Sequence, residues 1–290
     1  MFDFKGTGVA IITPFDKNKL VDYKALNKLI NYIIEGGVDY IVTLGTTGET
    51  PVLSKDEKIE IINFTKEVIN GRIPLVVGIG GNNTAEVVND LLTYPLDGVS
   101  AILSASPNYN KPSQEGIYQH YKEIALKSPK PIILYNVPGR TCRNMTASTI
   151  IRLANDFENI IGIKEASGDI LQCMEIIKDK PSKFFVVSGD DALALPQIAC
   201  GLQGVISVAA NAFPSEFSQL VKLCLNNDYE AARKINDRLI PVYQYLFEEN
   251  NPAGVKAILF EMGLIENELR LPLVSLSEEV HQKIKKYLLK

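Results

Sequence analysis

Short apolar runs rich in β-branched residues recur along the chain of 290 residues. Runs of this length, flanked by turn residues, are typical of buried strands. Eight of them are present, at residues 9–12, 40–43, 75–77, 98–103, 132–135, 160–164, 184–187 and 204–207. The longer segments between them have the apolar spacing of amphipathic helices. The pattern therefore predicts eight strands that alternate with helices.

Two of the predicted helices have clear boundaries. The first has apolar residues three and four positions apart and is followed by Gly36 and Gly37, which favour a helix end. The second spans residues 54–69 and opens with Ser54 and Glu57, the spacing of a capping box.

The alternation of strands and helices indicates a parallel sheet, which is either open or closed. We favour closure, because eight units fill most of the chain and no G-x-G-x-x-G motif marks the nucleotide-binding turn of an open sheet. The sequence therefore predicts an α/β fold, a (β/α)8 TIM barrel with a C-terminal helical extension. An open, doubly wound sheet is the alternative.

The pattern changes after the eighth strand, where only helical spacing remains. We predict a catalytic barrel over residues 1–213 and a helical region packed on it over residues 214–290. The last barrel helix could extend to about residue 225. One C-terminal helix is predicted to start near Asn251 and Pro252, as cap and first-turn proline.

Composition narrows the classes of function. The net charge is −4 and no long basic stretch is present, so nucleic acid is not an expected partner. The N-terminal segment has an acid where a secretory signal has bases, and no apolar stretch is long enough to span a membrane. The four cysteines are scattered, which is typical of reduced thiols in a cytoplasmic protein. Two distant histidines offer little for a metal site or a catalytic triad.

The C-terminal ends of the strands are where a barrel enzyme carries its reactive groups. At the end of the sixth strand, alternation places Ile161, Ile163 and Glu165 on one side and Gly162 and Lys164 on the other. The apolar pair should face the helices, so Lys164 is predicted to point into the barrel. Removal from water favours the neutral, nucleophilic form of a lysine. A structural salt bridge is the alternative.

Other strand ends carry groups that suit a small carboxylate substrate. Tyr135 should face inward and could pass protons. Thr46 and Thr47 lie in a glycine-flanked loop whose hydroxyl and N–H groups could hold a carboxylate. Arg140 follows a Pro-Gly turn and suits bidentate carboxylate binding. A core tyrosine, an ordinary tight turn and a surface arginine are the alternatives.

The loop after the seventh strand is a common phosphate site in barrels. Here it carries Asp190 and Asp191. Two carboxylates at this place argue against a phosphate dianion and favour a carboxylate substrate.

Four segments at successive strand ends are specific when taken together. They read GTTGE at residues 45–49, YNVPGRT at 135–141, GIKEASGD at 162–169 and SGDD at 188–191. With them the chain resembles the dihydrodipicolinate synthase family, within the N-acetylneuraminate lyase superfamily of pyruvate aldolases. The resemblance covers nearly the whole chain and is strongest from residue 6 to residue 211.

The resemblance implies roles for four catalytic residues. Lys164 would form an imine with pyruvate, and Tyr135 would shuttle protons in a chain with Thr46 and Tyr109. Tyr109 would enter the active site from a neighbouring subunit, which implies a homo-oligomer, either a dimer or a tetramer built from two dimers.

The resemblance also implies the substrate-binding residues. Thr47 would hold the carboxylate of pyruvate, and Arg140 that of the aldehyde substrate. Gly189 and Ile206 would line the pocket through backbone atoms. Glu49 matches the motif, and we expect it to support packing or the turn rather than catalysis.

The implied reaction is a lyase-class condensation of pyruvate with L-aspartate-4-semialdehyde, in the diaminopimelate route of lysine biosynthesis. No metal or organic cofactor is expected, because the protonated imine serves as the electron sink. The alternatives are an N-acetylneuraminate lyase or 2-keto-3-deoxy sugar acid aldolase on the same scaffold, and a barrel that only binds a ligand. Arg140 favours the synthases, because sugar-acid lyases generally lack it.

Feedback inhibition by L-lysine is expected to be weak or absent. Many family members have a tyrosine where this chain has Asn108, and the sensitive bacterial type has histidines in place of Lys55 and Lys58. Asn82 and Glu86 still match the family's lysine-binding residues.

Overall fold

Eight parallel strands form a closed barrel in the computed structural model, which describes residues 4–289. Residues 1–3 and 290, at the ends of the two predicted regions, lie outside the described part. Each strand pairs with its neighbours in sequence, and β1 closes the barrel against β8. The predicted TIM barrel is confirmed, and the open sheet is wrong.

The strands lie close to the predicted runs. They are β1 Gly6–Ala10, β2 Tyr40–Thr43, β3 Leu75–Gly78, β4 Ala101–Ala105, β5 Ile132–Asn136, β6 Ile160–Glu165, β7 Phe185–Ser188 and β8 Gly204–Ser207. The largest shifts at the N-terminal end are three residues, in β1 and β4. Strand β1 begins at Gly6 because its ladder with β8 begins there, and β4 begins at Ala101. Strand β1 ends at Ala10. Beyond it, the Ile12 N–H donates a hydrogen bond to Asn211 Oδ1 and not to a neighbouring strand.

The helices cover the outside of the barrel and continue beyond it. They are α1 Tyr23–Glu35, α2 Lys55–Ile69, α3 Thr84–Thr93, α4 Gln114–Lys127, α5 Pro138–Thr141, α6 Ala147–Asp156, α7 Ile170–Asp179, α8 Ala194–Ala199, α9 Pro214–Leu225, α10 Tyr229–Phe247, α11 Ala253–Glu261 and α12 Glu278–Leu288. The capping box of Ser54 and Glu57 is present, and α1 ends before Gly36 as predicted. Within residues 4–289, no helix is both long and apolar enough to cross a membrane.

Helix α9 packs against α8, α1 and β1, and so completes the ring of helices around the barrel. The division of the chain at residue 213 remains a proposal. Helix α9 begins directly after it, at Pro214, and still packs on the barrel. Helix α11 differs from its prediction, since Pro252 is its cap and not a first-turn residue. The side chain of Asn251 does not cap α11. It donates a hydrogen bond to Thr47 instead.

Two apolar layers are separated by the strands. The larger layer lies between the strands and the helices. The smaller layer fills the barrel interior and consists of Phe4, Ala10, Tyr40, Val42, Val76, Ala101, Leu103, Ile133, Tyr135, Val137, Ile161, Phe185, Val187 and Ile206.

A register irregularity in β6 corrects one detail of the predicted alternation. Ile132 pairs with Ile160 but Ile133 pairs with Gly162, so the strand holds an extra residue. Ile161 consequently belongs to the interior layer while Ile163 belongs to the outer one. The prediction that these two isoleucines share a face is therefore wrong.

A buried ion pair joins the C-terminal region to the loop after β2. Lys256 of α11 donates to Glu49 at 2.5 Å, and both side chains are fully buried. The backbone N–H of Arg270 donates to the other oxygen of Glu49 at 3.1 Å. Burial lowers the pKa of Lys256 to about 8, although Glu49 favours the charged form. The C-terminal region thus holds the loop that bears Thr46 and Thr47 in place through these bonds to Glu49.

Replacing Lys256 with methionine leaves the Glu49 carboxylate buried without its cation. We expect Lys256→Met to lower the free energy of unfolding by about 3–5 kcal/mol, the usual cost of removing one partner of a buried pair. Lys283→Met is the matched control, because Lys283 pairs with Glu248 at the surface and should change stability little. Urea denaturation measures both variants, and equal small losses would contradict this reading of the pair.

Candidate active site

A cavity of about 370 Å³ opens at the C-terminal ends of the strands. Six of the eight predicted site residues line it, namely Thr46, Thr47, Tyr135, Arg140, Lys164 and Gly189. The sequence therefore located the cavity correctly, from residues that lie as much as 143 positions apart (189 − 46).

Lys164 lies beside Tyr135, because the two residues are direct partners in the pairing of β5 with β6. The Lys164 Nζ is 4.4 Å from the centre of the Tyr135 ring, and the lysine is only 4% exposed. Within residues 4–289, no carboxylate forms an ion pair with Lys164. The alternative prediction, that Lys164 forms a structural salt bridge, is therefore wrong for this part of the chain. The Lys164 amine is therefore buried next to the Tyr135 phenol, without a carboxylate counter-ion among the described residues.

Glu165, the next residue, points away from the interior and holds the two strand ends together. Its carboxylate accepts hydrogen bonds from Asn136 Nδ2 at 2.9 and 3.1 Å, from Gln172 Nε2 at 3.0 Å and from the Ser167 N–H at 2.7 Å. Burial raises the pKa of this carboxyl group. Because Asn136 follows Tyr135 in β5, these bonds fix the phenol and the amine relative to each other.

The loop after β2 presents its two threonines from a short 3-10 turn, Thr46–Gly48. Thr47 is buried, and its Oγ1 accepts a hydrogen bond from Asn251 Nδ2 at 3.0 Å. Both Thr46 and Thr47 line the cavity. Within residues 4–289, however, no direct hydrogen bond joins the hydroxyls of Thr46 and Tyr135.

Arg140 lines the cavity from α5, a single helical turn that begins with Pro138. The glycine of the predicted Pro-Gly turn is not sterically required, because a Cβ at Gly139 would meet nothing within 4 Å. The proline at the first helical position and the helical bonds from Arg140 and Thr141 to Val137 set the turn instead.

The charges around the cavity favour an anion. Lys164 and Arg140 contribute two cations and Asp190 one carboxylate. Asp191 is buried and accepts hydrogen bonds from the N–H groups of Val208 and Ala209, so it does not line the cavity. Burial raises the pKa of Asp191 to about 6. Across residues 4–289, no cluster of three or more histidine, cysteine or acidic side chains is placed to hold a metal ion.

Two predicted site residues are not part of the cavity lining. Tyr109 is 86% exposed and lies in the loop after β4. Ile206 belongs to the interior apolar layer, and Val208, two residues later, lines the cavity.

The two lining residues that come from the C-terminal region were not predicted from the sequence. Phe247 ends α10, and Asn251 follows it in the connection to α11. Their segment has only helical spacing and no strand end, so no local signal connected it with the barrel mouth. The Asn-Pro dipeptide was the one available signal. It marked the start of α11 correctly, but the cap is Pro252 and not Asn251.

Gly189 leaves room for the lysine. A Cβ at this position would lie 2.8 Å from Cε of Lys164 and 2.6 Å from Cβ of Ala166. Any side chain at residue 189 therefore has to displace the side chain that bears the amine.

Comparison with known proteins identifies a family. A profile of the dihydrodipicolinate synthetase family matches residues 3–290. A 4-hydroxy-tetrahydrodipicolinate synthase of Parabacteroides distasonis is 53% identical over 99% of this chain and 96% of its own length. The chloride-inhibited dihydrodipicolinate synthase of Acinetobacter baumannii, solved with pyruvate, is 41% identical with a TM-score of 0.95, covering 99% and 98% of the two chains. A monomeric dihydrodipicolinate synthase variant is 40% identical with a TM-score of 0.96, covering 98% and 96%.

The crowding at Gly189 generates a stability prediction. We expect Gly189→Ala to lower the free energy of unfolding by about 1–3 kcal/mol, because the added methyl group overpacks the cavity floor. Gly139→Ala, next to Arg140 in the sequence, is the control and should change stability by less than about 0.5 kcal/mol, because its Cβ would meet nothing within 4 Å. Thermal and urea unfolding compare the two, and a crystal structure of Gly189→Ala should show Lys164 displaced. An undisplaced lysine with unchanged stability would refute the steric argument.

Proposed function

The chain belongs to the dihydrodipicolinate synthetase family, and we propose that it condenses pyruvate with L-aspartate-4-semialdehyde, a lyase reaction of lysine biosynthesis through diaminopimelate. The observation that carries the proposal is the amine of Lys164, buried beside the Tyr135 phenol in a cavity that Arg140 also lines. The pyruvate bound to the related Acinetobacter enzyme supports the choice of first substrate.

In the proposed mechanism, the Lys164 amine attacks the ketone carbon of pyruvate and water leaves, which gives a protonated imine. The imine withdraws electrons, so the methyl group loses a proton and becomes an enamine carbon nucleophile. That carbon attacks the aldehyde of the second substrate. The amino group of that substrate then displaces Lys164 from the imine carbon, which closes the ring and frees the enzyme.

The surrounding residues receive roles that fit this sequence of steps. Tyr135, in contact with the amine, moves protons to and from the carbinolamine, with Thr46 in the same cavity as its relay. Thr47 binds the pyruvate carboxylate. Gly189, which has no side chain, leaves room for Lys164 to reach the ketone carbon of pyruvate. The reaction needs no metal or organic cofactor, because the imine itself stabilises the carbanion.

The second substrate is recognised by Arg140 in this proposal. Its guanidinium stands at the exposed rim of the cavity, where a longer substrate would end. A planar guanidinium can bind a carboxylate through two parallel hydrogen bonds. Sugar-acid substrates present hydroxyl groups instead, and so would not use this pairing.

The proposed active unit contains at least two chains and works in the cytoplasm. Tyr109 is exposed on its own chain and is not among the residues that line the cavity, as expected of a residue that serves a neighbour's site. A dimer, or a tetramer of two dimers, would supply it. The related monomeric variant makes the oligomeric state a matter for experiment.

An assay of purified protein with pyruvate and a panel of aldehydes tests the proposed reaction. We expect turnover with aspartate semialdehyde and none with N-acetylmannosamine or sugar aldehydes. Arg140→Ala should reduce kcat/KM for the semialdehyde by roughly ten- to a hundred-fold, because a charge-assisted contact is lost. Arg143→Ala is the control, an exposed arginine on the same loop that does not line the cavity. Cleavage of a sugar acid, or an unaffected Arg140→Ala enzyme, would overturn the assignment.

The crossing of Tyr109 between subunits is testable by mixing two inactive variants. We expect Tyr109→Phe and Tyr135→Phe proteins each to lose most activity. Dissociated and reassembled together, they should regain part of it, because some sites then contain both tyrosines. Analytical ultracentrifugation at assay concentration gives the oligomeric state. A fully active monomer would contradict the proposal.

Inhibition by L-lysine should be weak or absent. Lys55 and Lys58 both lie on α2, and two cations near a ligand with two ammonium groups oppose its binding. We expect no saturable inhibition below about a millimolar, where binding would be worth more than roughly 4 kcal/mol. The combined Lys55→His and Lys58→His variant should become more sensitive. Strong inhibition of the unmodified enzyme in a lysine titration would disprove the argument.

A further inference from the structure

Asn251 stands out among the groups that the proposed mechanism does not use. It follows α10 in the C-terminal region, is only 5% exposed, and still lines the cavity that contains Lys164. Its amide nitrogen donates to Oγ1 of Thr47 at 3.0 Å, across 204 positions of sequence. This buried amide therefore bonds a residue of the cavity and does not cap α11.

The connection between the C-terminal region and the threonine loop is made at two points. Asn251 bonds Thr47, and five positions later Lys256 forms the buried ion pair with Glu49. Two residues of the loop are therefore matched by two residues of one short segment. This double attachment fixes the position of the Asn251 amide relative to the threonine loop.

The direction of the hydrogen bond decides what the threonine can do. A hydroxyl group has one proton to donate and two lone pairs that accept. Asn251 donates to Thr47 Oγ1, which occupies one lone pair and leaves the proton uncommitted. Within residues 4–289, no other group bonds this hydroxyl, so no protein acceptor takes its proton. The proton is then available to an acceptor that enters the cavity.

The other end of the amide is consistent with this direction. Asn251 Oδ1 is buried and has no hydrogen-bond partner within the described residues. If the amide were reversed, the Thr47 proton would be drawn to that oxygen and would no longer face a ligand. A carboxylate ligand can only accept, so the Thr47 hydroxyl can donate to it only in the observed arrangement.

We propose that Asn251 is a positioning residue for pyruvate. By donating its amide N–H to Thr47 Oγ1, it leaves the threonine O–H to donate to the carboxylate of the bound substrate. The inference rests on the proposed function, because it takes pyruvate as the ligand of Thr47. It adds a residue of the C-terminal region to the determinants of pyruvate affinity.

Asn251→Asp tests the direction of the bond. An ionised aspartate has the same shape but can only accept hydrogen bonds. It would therefore accept the hydrogen bond from the Thr47 hydroxyl and place a negative charge near the carboxylate of the substrate. We expect KM for pyruvate to rise by about ten- to a hundred-fold, with a much smaller change in kcat, since a bond to a charged group is lost. KM for the semialdehyde at saturating pyruvate should stay within about two-fold. Asn250→Asp is the matched control, since it adds the same charge one residue away and outside the cavity lining.

A double-mutant cycle tests whether Asn251 acts through Thr47. The variants are Asn251→Ala, Thr47→Val and the two combined, each measured for pyruvate KM and for melting temperature. If Asn251 acts only by orienting the hydroxyl, its removal has no further effect on pyruvate KM once Thr47→Val has removed that hydroxyl. The cycle also serves if the aspartate variant fails to fold.

The outcomes separate this inference from the proposed function. An unmodified enzyme that does not condense pyruvate with the semialdehyde would refute the function itself. If that enzyme is active, a normal pyruvate KM in Asn251→Asp overturns the inference alone. So do additive effects of Asn251→Ala and Thr47→Val on pyruvate KM, or equal losses of kcat and stability without a change in KM, because these indicate a purely structural side chain.

Discussion

The register between β5 and β6 is the constraint on which the candidate active site depends. It makes Tyr135 and Lys164 direct partners, so that a phenol and an amine share one place on the barrel floor. The extra residue at Ile161 changes the alternation early in β6 but leaves Lys164 facing inward. A shift by one residue would turn the lysine towards the helices and remove the reactive group.

The C-terminal region is part of the site as well as a cover for the barrel. Its segment from Asn251 to Lys256 attaches to the loop after β2 through one neutral hydrogen bond and one buried ion pair. Burying the charged Lys256 side chain costs desolvation energy, and the same burial lowers the pKa of Lys256. The cost is consistent with a requirement for a fixed geometry of Thr47, the residue that would hold the substrate carboxylate.

The sequence allowed the barrel and six of the residues that line the cavity to be predicted, because both follow from local patterns. Strand runs and strand ends are contiguous in sequence, and barrel topology brings their C-terminal ends together. The remaining details depend on distant contacts. The bulge at Ile161 arises from pairing with β5, and the burial of Asp191 from the N–H groups of Val208 and Ala209. The contact of Asn251 with Thr47 likewise has no local signal.

The central claim is that Lys164 forms a covalent bond with pyruvate, and borohydride reduction in the presence of pyruvate tests it most directly. Reduction makes an imine permanent, so intact-mass spectrometry and peptide mapping can locate it. The account predicts a single pyruvate-derived adduct per chain, on Lys164, and none in a folded Lys164→Ala protein. The same adduct in Lys164→Ala, or an adduct on the buried Lys256 of the unmodified enzyme, would contradict it.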